Sequence, residues 1–71
     1  MSYMSRIKQF RTKNKITQQN IADTLGITQQ QWFKYEKEVN ELPIRYLETI
    51  CKVYGISANW LLGLTEEPET L

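Results

Sequence analysis

Residues 17–36 read TQQNIADTLGITQQQWFKYE, and this stretch decides the fold because it contains two short helix patterns separated by very few residues. Thr17 and Thr28 each precede one pattern, where a hydroxyl accepts a hydrogen bond from the N–H groups of the first helical turn. The stretch therefore predicts helices at 18–25 and 29–37, joined by a turn of three residues. Two short helices joined in this way form a helix-turn-helix.

The same helix signals recur on both sides of this stretch. Three times, an isoleucine is followed by Thr or Ser, and an apolar residue stands four positions after the hydroxyl. This spacing is typical of an N-cap with a hydrophobic staple. Gly26, Gly55 and Gly63 suit the left-handed residue that ends a helix, and Pro43 suits the first position of one. We therefore expect an all-α chain with helices at 4–13, 18–25, 29–37, 43–54 and 58–62.

Length and composition exclude several classes of function. The 71 residues include no histidine and one cysteine, so the chain lacks an internal disulfide, a Ser-His-Asp or Cys-His catalytic group and a convincing zinc site. No apolar run reaches the ~18 residues of a membrane span, and no signal peptide pattern precedes the polar start. A lone thiol fits a reducing cytoplasm. We predict a small cytoplasmic domain that binds a partner, with no cofactor, no metal and no enzymatic activity.

Charge is distributed unevenly along the chain despite a formal net charge of +1. Residues 1–37 contain seven Lys or Arg and two acidic residues, whereas residues 38–71 contain two and six. Such a chain can present a basic surface to a polyanion, although a solvated mixture of charges is the alternative. Residues 65–71 (TEEPETL) are expected to form a flexible acidic tail after a single domain at 1–64.

Motifs along residues 4–64 occur in an order and spacing shared with a known family. They are Thr17-Gln18, Ala22, Leu25-Gly26-Ile27-Thr28, Trp32, Tyr35-Glu36, Pro43, Leu47, Ile50, Gly55-Ile56-Ser57 and Trp60-Leu61-Leu62-Gly63. In these motifs the chain resembles the phage repressor/Cro family of XRE-type helix-turn-helix domains. The resemblance implies a compact five-helix repressor-like bundle in which helices 2 and 3 form the helix-turn-helix.

Two positions depart from the family pattern. Glu38 stands where the family usually has glycine, so the left-handed turn expected there either moves to Asn40 or strains Glu38. Phe33 stands where the family more often has a small or polar side chain.

One face of the third predicted helix has no acidic residue. On a wheel of 100° per residue, five side chains lie within an arc of about 140°. This outer face of helix 3 consists of Gln29, Gln30, Phe33, Lys34 and Lys37. A glutamine amide can pair with adenine, a lysine can reach guanine or a phosphate, and a phenyl ring can contact a thymine methyl. The resemblance implies base contacts by Thr28, Gln29, Gln30, Phe33 and Lys34.

Each of these assignments has a plainer alternative. The glutamines can be ordinary exposed residues, and Phe33 can belong to the core or to a protein-binding patch. Candidate phosphate contacts flank the helix at Gln18, Lys15, Lys37, Asn40 and Arg45. Of these, Lys15 and Arg45 can equally be surface residues. The resemblance also implies an ion pair between Arg11 and Glu36 that attaches helix 3 to the scaffold.

The end of the last predicted helix is unusually apolar, with Trp60, Leu61, Leu62 and Leu64 within five positions. Because one short helix cannot turn all four inward, we expect a homodimer interface that includes Trp60, Leu61 and Leu64. The alternative is that Leu64 covers the edge of the core. Two copies would place their third helices ~34 Å apart, matching pseudo-palindromic half-sites on double-stranded DNA.

These features together predict a sequence-specific binder of double-stranded DNA, a small transcriptional repressor of Cro/repressor type that occupies an operator. The alternative from another class is an antitoxin-like or adaptor module that binds a protein and can retain DNA binding.

Overall fold

The computed structural model describes residues 3–66, and these form five α-helices. The helices are α1 (Tyr3–Lys13), α2 (Gln18–Leu25), α3 (Gln29–Glu36), α4 (Ile44–Tyr54) and α5 (Ala58–Leu61). The all-α prediction is confirmed, and every predicted helix boundary falls within one residue of the observed one. The predicted acidic tail lies mostly outside the described residues, because only its first two positions are among them.

Hydroxyl side chains start three of the helices, as predicted. Thr17, Thr28 and Ser57 each accept a hydrogen bond from the backbone N–H of the third helical residue. Gln31 completes the predicted capping box with Thr28, and Asn20 forms a second one with Thr17. In both helices of the helix-turn-helix, local side chains therefore satisfy the N–H groups of the N-cap residue and of the third helical residue.

Each of the five helices is followed within two residues by a residue with left-handed backbone conformation. Gly26, Gly55 and Gly63 have φ angles of 70°, 66° and 75°, as their positions in the sequence predicted. The other two helices, α1 and α3, are followed two residues later by Lys15 and Glu38, with φ angles of 57° and 59°. A side chain with a Cβ atom costs roughly 1–2 kcal/mol in this conformation. Two helix ends are therefore strained where the other three use glycine.

The sequence left two positions for the left-handed turn between α3 and α4, Asn40 or a strained Glu38. The structure places the turn at Glu38. The N–H of Val39 donates to the carbonyl of Lys34 at 3.0 Å and closes α3. Leu42, 5% exposed, anchors the loop in the core. Pro43 was predicted to be the first residue of α4. It is instead the N-cap of this helix, because its ψ of 145° is extended.

The core is a single apolar cluster, and each of the five helices contributes at least one buried residue to it. Trp32 lies fully buried in it, and α3 packs against both α1 and α2. Helix α4 packs on α2, and α5 packs on α1. This arrangement supports α3 from one side and leaves its other side to solvent. Within residues 3–66, no helix has the length and apolarity needed to cross a membrane.

Candidate nucleic-acid interface

A three-residue turn sets the relation between α2 and α3. The N–H of Gly26 donates to the carbonyl of Asp23 at 3.1 Å, and the N–H of Ile27 donates to that of Ala22 at 3.0 Å. These two bonds form the Schellman pattern that ends α2, and Thr28 immediately begins α3. Since Ile27 also packs against the core, the turn has little freedom. These hydrogen bonds and the packing of Ile27 thus restrict the orientation of α3 relative to α2.

The carboxylate of Glu36 attaches the end of α3 to the two preceding helices. It accepts hydrogen bonds from Arg11 Nε at 2.6 Å and Arg11 Nη2 at 3.1 Å, which together make a bidentate ion pair. It also accepts from Gln18 Nε2 at 3.0 Å and from Trp32 Nε1 at 2.7 Å. The Arg11 and Glu36 side chains are only 10% and 4% exposed. This Glu36 cluster links α1, α2 and α3 in one hydrogen-bonded group.

Opposing effects act on the pKa of Glu36. Burial raises it, whereas the hydrogen bonds from Arg11, Gln18 and Trp32 and the positive charge of Arg11 lower it. The lowering effects prevail, so the pKa lies below its ordinary value of 4.5. Glu36 is therefore ionised at neutral pH, as a bidentate partner of arginine must be.

The outer face of helix 3, defined above as Gln29, Gln30, Phe33, Lys34 and Lys37, is exposed at every position. Trp32 is fully buried and Tyr35 is half-buried on the opposite side. Phe33 is 45% exposed, which excludes the alternative that it belongs to the core. Two amides, two ammonium groups and one phenyl ring thus form a solvent-facing surface on a rigid helix.

Three of the predicted contact residues have internal hydrogen bonds to their polar side-chain atoms. The amide nitrogen of Gln18 donates to Glu36, and its amide oxygen accepts a hydrogen bond from Gln29 Nε2 at 3.4 Å. The hydroxyl of Thr28 accepts from the N–H of Gln31 at 3.1 Å. What Gln18 presents outward is therefore mainly the backbone N–H groups of the first turn of α2, and what Thr28 presents is mainly its methyl group.

The other predicted phosphate contacts are exposed, but acidic residues lie close to one of them in the sequence. Lys15, Asn40 and Arg45 are solvent-facing, and the guanidinium of Arg45 lies 4.6 Å from the ring centroid of Tyr46. The same loop that carries Asn40 also carries exposed Glu38 and Glu41. The negative charges of Glu38 and Glu41 did not enter the prediction of the phosphate contacts, although both residues stand close to Asn40 in the sequence.

The apolar end of the chain differs from the prediction in one residue. Leu61 is 0% exposed and belongs to the core, so its assignment to a dimer interface is wrong. Trp60 is half-buried, with the Arg6 guanidinium 5.1 Å from its ring centroid. The exposed leucines are Leu62 and Leu64, at 49% and 72%. The short helix thus turns Leu61 inward and leaves the two leucines after it in solvent.

A second exposed apolar feature was not predicted. Ile44 is 77% exposed and, with Leu47, Cys51 and Ala58, lines an apolar groove between α4 and α5. Burial raises the pKa of the Cys51 thiol, so it remains protonated and behaves as a small apolar side chain. The spacing of Ile44 three positions before Leu47 is the sequence signal that would have revealed this face.

Two capped helices, a three-residue turn and an exposed face on the second helix define a helix-turn-helix domain. The profile of the helix-turn-helix domain family matches residues 4–67, and the chain belongs to this family, within the XRE type.

Relatives with similar sequences occur in Bacillus subtilis (strain 168). The chain is similar to the uncharacterized HTH-type transcriptional regulator YobD, with 31% identity over 67 residues, covering 94% of this chain and 60% of YobD. It is also similar to YonR, an SPbeta prophage-derived uncharacterized HTH-type transcriptional regulator, with 36% identity over 76 residues, covering 93% and 70%. The uncharacterized HTH-type transcriptional regulator YqaE is 35% identical over 60 residues, covering 84% and 52%.

The chain therefore spans between about half and 70% of the length of these curated relatives. No solved structure matches it.

Proposed function

We propose that this protein is a sequence-specific DNA-binding transcriptional regulator that places α3 in the major groove of double-stranded DNA. One observation carries the proposal: the outer face of helix 3 is exposed at all five positions and free of acidic residues, while Trp32 on the opposite side of the helix is buried in the core. The names of the relatives, all HTH-type transcriptional regulators, support it. The activity is binding alone: a repressor of Cro/repressor type acts in the cytoplasm by occupying an operator.

Base reading falls to the first turns of α3. Gln29 and Gln30 each carry an amide that can donate to N7 and accept from N6 of adenine, and each such pair is worth ~1–3 kcal/mol of discrimination. Lys34 lies one turn further on and reaches guanine or a phosphate. The methyl group of Thr28 adds an apolar contact at the start of the helix.

Phosphate contacts position the helix without reading sequence. Lys15, Lys37, Asn40 and Arg45 supply side-chain donors, and the exposed first turn of α2 supplies backbone N–H groups. Six cationic contacts, three from each copy of a dimer, make the affinity fall by ~10³ or more between 50 and 200 mM salt.

The Glu36 cluster gives the interface its rigidity. Since the carboxylate joins α1, α2 and α3, the reading helix is held in one orientation before DNA arrives. A preorganised helix loses less conformational freedom on binding, so more of the contact energy appears as affinity.

We further propose that the protein binds its operator as a homodimer. Two exposed apolar features adjoin the two ends of α5: the groove lined by Ile44, Leu47, Cys51 and Ala58, and the exposed leucines Leu62 and Leu64. The molecule measures 31 × 21 × 21 Å, so two copies side by side can place their α3 helices ~34 Å apart, one turn of DNA.

The dimer is tested by sedimentation of the full chain. Ile44→Glu is expected to lower the dimer fraction, whereas Val53→Glu, at an exposed valine of the same helix, is the matched control. If both variants sediment like the parent protein, the groove is not the interface. Capture of a different polypeptide by the groove, insensitive to salt, would favour the protein-binding alternative.

DNA binding itself is tested by selecting bound duplexes from a random pool and measuring affinity across salt concentrations. We expect enrichment of a two-fold symmetric sequence and a steep salt dependence. Failure to enrich any sequence, with no salt-dependent binding, would contradict the proposed function.

A further inference from the structure

Phe33 differs chemically from its neighbours on the outer face of helix 3. The other four side chains of this face end in an amide or an ammonium group, whereas the phenyl ring of Phe33 offers neither a hydrogen-bond donor nor an acceptor. It is nevertheless 45% exposed, although Trp32 beside it is fully buried. The ring lies on the side of α3 opposite to Trp32, where its neighbours on the outer face of helix 3 are all exposed.

The position of Phe33 is central among the hydrogen-bonding side chains. It follows Gln29 by four residues and Gln30 by three, so all three share one surface of the helix. Lys37, four residues further on, places its ammonium nitrogen 5.5 Å from the centroid of the Phe33 ring. This cation–π contact restrains the ring on the outer face.

We propose that Phe33 is a specificity-determining residue that reads the 5-methyl group of a pyrimidine. This inference rests on the proposed function, because it requires α3 to lie in the major groove. The 5-methyl group is the one apolar feature that base edges present in this groove. Opposite any other edge, the ring would remove a polar atom from water without giving it a hydrogen bond, which is costly.

Two consequences follow from this chemistry. First, the operator contains a thymine in each half-site next to a base read by Gln29 or Gln30. Second, a cytosine at that position binds weakly, and 5-methylcytosine recovers part of the loss, since it carries the same methyl group at the same ring atom. The protein is thus expected to respond to cytosine methylation of a suitable duplex.

The test uses the enriched duplex from the random-pool selection and replaces each thymine in turn by uracil, which removes only the methyl group. At one thymine in each half-site, uracil should weaken binding of the parent protein by about fourfold, the change expected from losing one buried methyl group. The Phe33→Ala variant should bind the thymine and uracil duplexes equally. Val53→Ala, which shortens an exposed apolar residue on α4, should retain the fourfold difference.

A second set of duplexes carries cytosine or 5-methylcytosine at the same position. The parent protein should bind the methylated duplex about fourfold more tightly, and Phe33→Ala should not distinguish the two. Equal thymine and uracil affinities for the parent at every position, or an unchanged difference in Phe33→Ala, would overturn the inference. Neither result touches the proposed function, which the enrichment of a duplex in the selection tests separately.

Discussion

Replacing Glu36 by glutamine tests the scaffold beneath α3 at its most connected point. Glutamine keeps the size of the side chain but removes the charge and turns an N–H₂ group toward donors. In the structure, the carboxylate accepts four hydrogen bonds, two of them from Arg11, whose side chain is only 10% exposed. Removing one partner of a buried ion pair costs ~3–5 kcal/mol, because the other charge stays buried without compensation.

That cost is large for a domain of this size. At about 0.05–0.15 kcal/mol per residue, a chain of 71 residues has a free energy of unfolding of roughly 4–10 kcal/mol. Glu36→Gln is therefore expected to lower the free energy of unfolding by about a third or more. Urea denaturation followed by tryptophan fluorescence measures the difference directly, since Trp32 lies beside the substituted group.

A matched control is available on α4. Glu48 and Lys52 form an exposed ion pair at 2.9 Å, with side chains 64% and 73% exposed, so Glu48→Gln should cost only about 0.5 kcal/mol or less. Adding Arg11→Met to Glu36→Gln should recover part of the loss, because the uncompensated charge is then gone. A loss below ~1 kcal/mol for Glu36→Gln, similar to the control, would refute the reasoning.

Three further predictions concern titration, backbone strain and phosphate binding. Because the folded pKa of Glu36 lies below its ordinary 4.5, the stability that its ionised form contributes is present above pH 4.5 and lost as the pH falls through the folded pKa. Urea midpoints measured from neutral pH downward should therefore decline less in Glu36→Gln than in the parent. Glu38→Gly should raise the free energy of unfolding by ~0.5–1 kcal/mol, since it relieves the left-handed strain at φ 59° at a smaller entropic cost. Glu38→Ala, which keeps the strain, should show no such gain. Lys37→Ala should weaken binding to all duplexes similarly and reduce the salt slope by about 1 for each bound copy, and an unchanged slope would remove Lys37 from the phosphate contacts.

Local signals made most of the fold predictable. Thr17, Thr28 and Ser57 determine where helices begin because their hydroxyls bond to N–H groups only three residues away. Gly26 and Gly55 end helices because a left-handed backbone suits glycine without a partner elsewhere in the chain. Such information lies within a few residues of sequence, so no tertiary structure was needed to find it.

Non-local packing limited the rest. Lys15 adopts a left-handed conformation without being glycine, because the end of α1 is held by hydrogen bonds and by its packing. Leu61 was assigned to an interface because the sequence shows four apolar residues but not which of them meets the core. The direction of the Gln18 amide, toward Glu36 rather than outward, depends on a contact across 18 positions that no local pattern reveals.

The outer face of helix 3 lies between these cases. The sequence predicted which residues form this face, because the helical period places residues three and four positions apart on the same side of a helix. Its accessibility depended on how α1 and α2 pack against α3, which the sequence alone left open. The structure shows the five side chains exposed, and their contacts with bases remain a prediction.

The central claim is that Gln29 reads a base, and one comparison tests it most directly. The affinities of the parent protein, Gln29→Ala and Gln9→Ala are measured on the enriched duplex and on a shuffled duplex of the same composition. Gln9, an exposed glutamine on α1, serves as the control. Gln29→Ala should lose ~1–3 kcal/mol on the enriched duplex and almost nothing on the shuffled one, while Gln9→Ala changes neither. An equal loss on both duplexes, or no loss on either, would contradict base reading by α3.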